Sequence, residues 1–201
     1  MKFSKSIKSV VASSFALAAM SSQAGVLNVS ATSTNCDVAV TTSTSPITLP
    51  VGNSCVFRAY NELQNVVANS LPAFDIGGSI ANGTRVNSHL LVWNPPGSSR
   101  VTGTVSFDGP ILGIYTEAAG LNGSDALFGL QPSYTFTAGQ GLERGDSIMF
   151  ISMTSTSSFD FTATNPGDYV RVITAVPEPG VLSLLALGLI PFVRRKKAIA
   201  K

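Results

Sequence analysis

His89 is the only histidine in this chain of 201 residues, so any histidine chemistry must pass through it. It lies in Asn87-Ser88-His89-Leu90-Leu91-Val92-Trp93. In a strand, Asn87, His89, Leu91 and Trp93 would share one face, and Ser88, Leu90 and Val92 the other. The expectation is a half-buried, hydrogen-bonded histidine against Trp93. One histidine cannot build a histidine-rich metal site, and a triad would need a nucleophile and an acid that only the fold can bring to it. Gly145-Asp146-Ser147 matches a tripeptide found around some hydrolase serines, but no G-x-S-x-G surrounds it and a strand pattern follows. Gly and Asp making a bend before a strand explain it better. Glu117 and Glu143 are candidates for the paired acids of glycoside hydrolysis, which must stand a few ångströms apart beside a sugar cleft. Asp125, Asp146, Asp160 and Asp168 lie in or beside turns and are candidates for a structural calcium, although no D-x-D-x-D-G loop exists. No other cofactor and no catalytic residue is expected.

The elements that would position these residues are strands. Alternating and β-branched runs recur at residues 26–31, 37–42, 55–60, 65–68, 73–76, 85–93, 101–107, 111–115, 134–137, 147–153, 159–164 and 169–175. Turn signals separate them, among them Asn82-Gly83, Asn94-Pro95-Pro96-Gly97, Asp108-Gly109-Pro110 and Asn165-Pro166-Gly167-Asp168. The pattern predicts a mainly β fold, a single antiparallel β-sandwich-like domain over residues 25–175. Ser124 could cap one helical turn presenting Leu127 and Phe128 to the core. Residues 41–54 read as a flexible loop between the two cysteines.

Charge divides the chain into a body and two ends. Every lysine lies near a terminus, whereas the body between Gly25 and Val176 carries five arginines against ten acids, a balance of −5. Such a body should not bind nucleic acid, because nothing in it neutralises phosphates. Residues 1–24 place Lys2, Lys5 and Lys8 before an apolar stretch from Val10 to Met20, then Ser22 and Ala24 at −3 and −1 of a cut after Ala24. This is the layout of a signal peptide, with its short N-terminal helix. Export agrees with Cys36 and Cys55, the only cysteines, which can pair in an oxidising compartment. At the other end, the apolar run 181–193 would rise about 20 Å as a helix, against a hydrocarbon core of about 30 Å. Pro191 interrupts it, and Arg194, Arg195, Lys196 and Lys197 follow. A short hydrophobic helix ending in cations suits a stop-transfer signal and transient residence in the inner membrane.

Val176-Pro177-Glu178-Pro179, the apolar run and the basic cluster together resemble the PEP-CTERM sorting signal of bacterial exported proteins. The resemblance implies handling by the secretion machinery and an exosortase, with delivery to the cell surface or an exopolysaccharide matrix. The body is similar to a group of such proteins at Arg58-Ala59-Tyr60-Asn61-Glu62, at Gly83-Thr84-Arg85-Val86-Asn87-Ser88-His89-Leu90 and at Phe107-Asp108-Gly109-Pro110-Ile111-Leu112-Gly113. Gly141-Leu142-Glu143 with Gly145-Asp146, and Arg171-Val172-Ile173-Thr174-Ala175-Val176, extend the likeness. It brings no catalytic residues; Glu62, Arg85, His89 and Arg171 are its candidates for a shared polar site.

Three functions remain open on sequence grounds. A structural or matrix-associated role leads. A carbohydrate-binding module, with extracellular polysaccharide as partner, would show exposed coplanar aromatics around Trp93 or Tyr115. An enzyme of the exopolysaccharide system would set His89 or Glu62 in a cleft with a charged partner.

Overall fold

Alternation turns into strands wherever a side chain on one face finds a partner layer. The structure, a computed structural model, describes residues 25–43, 48–129, 133–151 and 153–177. The expected signal peptide, the apolar run 181–193, Glu178, Pro179 and the basic cluster Arg194, Arg195, Lys196 and Lys197 lie outside the described residues. Val176 and Pro177 are the last of them.

The strands are β1 (Val26–Ser33), β2 (Ala39–Ser43), β3 (Val56–Asn61), β4 (Val66–Ala68), β5 (Ile76–Gly77), β6 (Thr84–Trp93), β7 (Ser99–Phe107), β8 (Ile111–Tyr115), β9 (Ser147–Phe150), β10 (Thr156–Ala163) and β11 (Asp168–Ala175). One helix, α1 (Ala118–Phe128), lies between β8 and β9. The small sheet runs β1-β7-β10-β9; the large one runs β2-β3-β6-β11-β8-β5, with β4 also on β6.

The two sheets face each other across a core of Phe57, Leu91, Trp93, Val101, Val105, Phe107, Phe159, Phe161, Val170 and Val172. Phe57 stacks on Phe159 with ring centroids 4.4 Å apart, one ring from each sheet. The large sheet is buried on its other face too. Leu90, Val92, Tyr169 and Ile173 meet Leu121 and Phe128 of α1 and Phe136 of the following loop. This second layer explains why β6 and β11 are buried almost without a break instead of on alternate residues.

The sandwich-like, mainly β architecture is as expected, with three corrections. The sheets are not purely antiparallel: β2 runs parallel to β3, from Ala39 opposite Val56 to Ser43 opposite Tyr60. The residues expected as strand 134–137 lie in a loop that leads into a short 3-10 turn, Ala138–Gln140. The expected single helical turn at Ser124 is an 11-residue helix that starts six residues earlier, with Ser124 in its interior. The segment 41–54 is also less free than expected, because its first residues join β2 and Val51 is buried, its N–H bonded to the Tyr169 hydroxyl at 3.1 Å.

Both ends of the domain meet one turn. The Gly25 carbonyl accepts from Asp108 N at 3.2 Å, and Ala175 N donates to the Pro110 carbonyl at 2.8 Å. Gly109 between them has no room for a side chain, since a Cβ would lie 2.0 Å from the Ala175 oxygen.

Cys36 and Cys55 form a disulfide across 19 residues, just before β2 and β3. It closes the loop that carries β2, the parallel partner of β3. Replacing both by serine should cost about 3 kcal/mol, chiefly by freeing the unfolded chain. Urea unfolding checks this: a midpoint equal to that of the parent would show that the staple is dispensable.

Candidate functional site

Glu62 and Arg171 meet in the most polar part of the interior. Arg171 sits mid-strand in β11, opposite Leu90 of β6 and Tyr115 of β8. This register points it to the face that α1 covers. Glu62 comes from the break between β3 and β4. There Glu62 N donates to the Ser88 carbonyl at 2.9 Å and Ser88 N donates to the Leu63 carbonyl at 2.8 Å, two residues against one as in a bulge.

Arg171 is fully buried, and all five of its N–H donors are used. Nε and Nη2 donate to Glu62 Oε2 and Oε1 at 2.7 and 3.0 Å. Nη2 also donates to Asp125 Oδ1 at 2.7 Å. Nη1 donates to the Leu121 carbonyl at 2.9 Å and to Ser124 Oγ at 2.8 Å. Ser88 Oγ completes Glu62 by donating to Oε2 at 2.7 Å. Burial pulls the guanidinium's pKa down, but the charges and hydrogen bonds of Glu62 and Asp125 more than offset that, and Arg171 ends above its ordinary value. Burial pushes the Asp125 carboxyl up, against the pull of Arg171. Asp125 Oδ2 has no partner. An arginine whose donors are all taken by protein holds α1 onto the sheet and has none left for a substrate.

The other two residues of the expected polar site lie elsewhere. Arg85 is exposed, its Nη1 bonded to the Asn65 carbonyl and Oδ1 at 3.3 and 3.1 Å. His89 lies on the opposite face of the large sheet from Arg171, because one step along a strand reverses the side. The expected alternation of 87–93 thus holds, but the histidine is fully buried, and its ring meets Phe107 at 4.8 Å between centroids. Nδ1 lies 2.8 Å from Asn61 Oδ1 and Nε2 lies 3.0 Å from Thr174 Oγ1. Asn61 Oδ1 also accepts from Val26 N at 3.0 Å, which fixes it as an oxygen. Nδ1 therefore carries the hydrogen and Nε2 accepts from Thr174. Burial pushes the imidazole down to about 3, so it stays neutral at ordinary pH.

The aromatics and acids singled out in the sequence also take structural posts. Trp93 and Tyr115 are fully buried, so they do not form the exposed aromatic platform that a carbohydrate-binding module would show there. Glu117 and Glu143 are exposed. Asp125 pairs with Arg171, Asp160 with Arg100, and Asp146 accepts from Glu143 N and Thr162 N at 3.0 and 2.7 Å. Asp168 is buried with Oδ2 unpartnered. Among the described residues no group of three His, Cys, Asp or Glu side chains could hold a metal ion, these four calcium candidates included. No helix among the described residues is long and apolar enough to cross a membrane.

Residues missed in the sequence matter as much. Ser88, with Ser124 and Asp125 in a role other than the expected cap and calcium ligand, completes the arginine's shell, and Asp75 supplies the start of α1, where Glu117 offers no side-chain cap. Its Oδ2 accepts from Thr116 N and Glu117 N at 2.6 and 2.8 Å, placing a carboxylate at the positive end of the helix. No periodic signal marks such partners; only the register brings them together.

No family model matches the chain, and neither a curated protein nor a solved structure matches it.

Arg171→Met would leave Glu62 and Asp125 buried without their counter-ion and should cost about 3–5 kcal/mol. A loss under about 1 kcal/mol in urea unfolding would show that α1 does not hang on this arginine. Asp168 gives a pH-dependent prediction. Burial, with the nearby negative charges of Asp146 and Glu143, pushes its carboxyl up to about 8. Between the ordinary value near about 4 and that value, the unfolded chain loses the proton while the folded chain keeps it, so stability falls as pH rises. Asp168→Asn should therefore raise the melting temperature more at pH 8 than at pH 4. Equal gains at both pH values would contradict the raised carboxyl.

Proposed function

We propose that this chain is an exported protein whose C-terminal PEP-CTERM-like signal sends it, through an exosortase, to the cell surface or an exopolysaccharide matrix. There the β-domain has a structural, matrix-associated role without catalysis. The observation that carries this reading is the fit of the folded body between the two targeting segments. β1 begins at Val26, two residues after Ala24, and β11 ends at Ala175, immediately before Val176-Pro177. A cut after Ala24 keeps the Gly25 carbonyl that Asp108 uses, and a cut near Pro177-Glu178-Pro179 keeps all of β11. The disulfide supports an oxidising destination. The saturated shell of Arg171 and the neutral, enclosed His89 support a role that rests on folding rather than on reaction.

Mass spectrometry of the native protein from its cells tests the reading. The expected termini are Gly25 and a residue between Val176 and Pro179. Met1 or Lys201 on the exported protein would refute it. Pro177→Ala, or deletion of residues 194–197, should leave the protein unprocessed or misplaced, and unchanged size and location in both variants would count against the sorting signal.

A further inference from the structure

Three loops meet beside the N-terminal end of β11: residues 50–53, 134–140 and 165–166. Between them lies an open cleft of about 370 Å³. That is within the range of about 300–1,000 Å³ that small-molecule sites occupy. None of its lining residues carries a charged side chain. A charged ligand would find no counter-ion there, and leaving a charge unpaired in a partly dry site is costly.

The cleft is built rather than incidental. Asn94, 2% exposed, is clamped beneath it. Its Nδ2 donates to the Val51 carbonyl at 2.6 Å and to Asn53 Oδ1 at 3.0 Å, and its own carbonyl accepts from Ser54 N at 2.8 Å. Gly167, at φ +84°, lies so close that a Cβ would come within 2.6 Å of Asn94 Cβ. One asparagine thus locks two of the three loops together. Its Oδ1 has no donor, an uncompensated polar atom of the sort that calls for an explanation beyond packing. Gln140, also 2% exposed, sets the third loop. Its Oε1 accepts from Thr137 N at 2.8 Å, and its Nε2 donates to the Tyr134 hydroxyl.

The groups this frame presents are matched to hydroxyls. The Tyr134 oxygen already accepts from Gln140, so its own hydrogen is left to donate. Asn53 spends its oxygen on Asn94 and keeps its two N–H donors. Asn165 is exposed and offers an acceptor and two donors. A hydroxyl donates and accepts at once, and neighbouring hydroxyls on a ring can meet such amides in pairs. The Tyr134 ring with Pro50 and Pro166 supplies apolar faces for the C–H side of that ring. We infer that this cleft binds a neutral saccharide unit, with Asn53, Asn165 and the Tyr134 hydroxyl reading its hydroxyls. The site is separate from Trp93 and Tyr115, and the inference does not depend on export, because it concerns the folded domain alone.

The test is affinity electrophoresis of the purified full chain through gels carrying dextran, mannan or soluble chitin oligomers, with alginate as the anionic control and a neutral proline-rich peptide as competitor. At least one neutral saccharide should retard the protein, with a Kd of order 1 mM or tighter. Asn165→Ala should weaken this about tenfold, as expected for the loss of one or two hydrogen bonds. Tyr134→Phe should do the same, and a thermal melt near that of the parent shows that each variant is folded. The inference is overturned if no neutral saccharide retards the chain, if folded variants bind undiminished, if alginate alone binds, or if the peptide displaces every saccharide. Termini measured by mass report on the sorting reading separately, so either proposal can fail while the other stands.

Discussion

A buried guanidinium with five donors must find five acceptors, and that requirement organises the outer half of this molecule. Arg171 stands at the centre of the large sheet, where water cannot reach it. The fold answers with a bulge that brings Glu62 across β6 and with a helix that offers a mid-helix carbonyl, a serine and an aspartate. Each of these elements spends part of its polar surface on the arginine. α1 contains Gly120, Asn122 and Gly123, each a poor helix former, and its N-cap residue makes no side-chain cap. Helical stability here comes from packing Leu121 and Phe128 and from the bonds to Arg171, not from propensity.

Buried ion pairs seldom stabilise more than a well-packed apolar substitute would, because desolvation cancels most of the attraction. What they impose is uniqueness. The five bonds of the guanidinium tie helix, bulge and strand to one another in one register. The sandwich face uses the same device in neutral form. His89 joins Asn61 of β3 to Thr174 of β11, and Asn61 also holds Val26 at the start of β1. The large sheet is thus pinned by one polar network on each face, charged on the helix side and uncharged between the sheets.

This division shows where the sequence could be read and where it could not. Strand patterning placed a candidate on each strand of both sheets, although it met β5 only at Ile76, and β2 and β5 bury neither face. It failed at residues 134–137, where Tyr134 and Phe136 look like alternation but serve a loop braced by Gln140. It caught only the last part of α1, as a turn from Ser124, because Asn122-Gly123 carries turn chemistry that tertiary contacts override. The parallel β2–β3 pair was invisible, since alternation carries no direction. Of the four polar candidates, Glu62 and Arg171 come together, whereas His89 and Arg85 do not. Separating them needs the register: Leu90 opposite Arg171 sends His89 to the other face. Asn94 and Asn165 read only as turn residues, because the loops of the cleft approach one another only after the strands have paired.

The register also sets the cleft and the chain ends at opposite poles. Both ends of the folded body are tied to the turn at Asp108-Gly109-Pro110, the first through Gly25 and the last through Ala175. The cleft lies at the other end of β11, beyond Asp168, beside Asn165 and Pro166. β11 spans eight residues, so about 23 Å of strand separates the two. Under the proposed sorting, any attachment to a membrane or surface would be made at the Ala175 pole. The loops 50–53, 134–140 and 165–166 then face away from the attachment, where an extended polymer can reach them without passing the tether. If both proposals hold, attachment and binding would sit at the two ends of one strand, and the polar networks of Arg171 and His89 between them tie that strand to its neighbours.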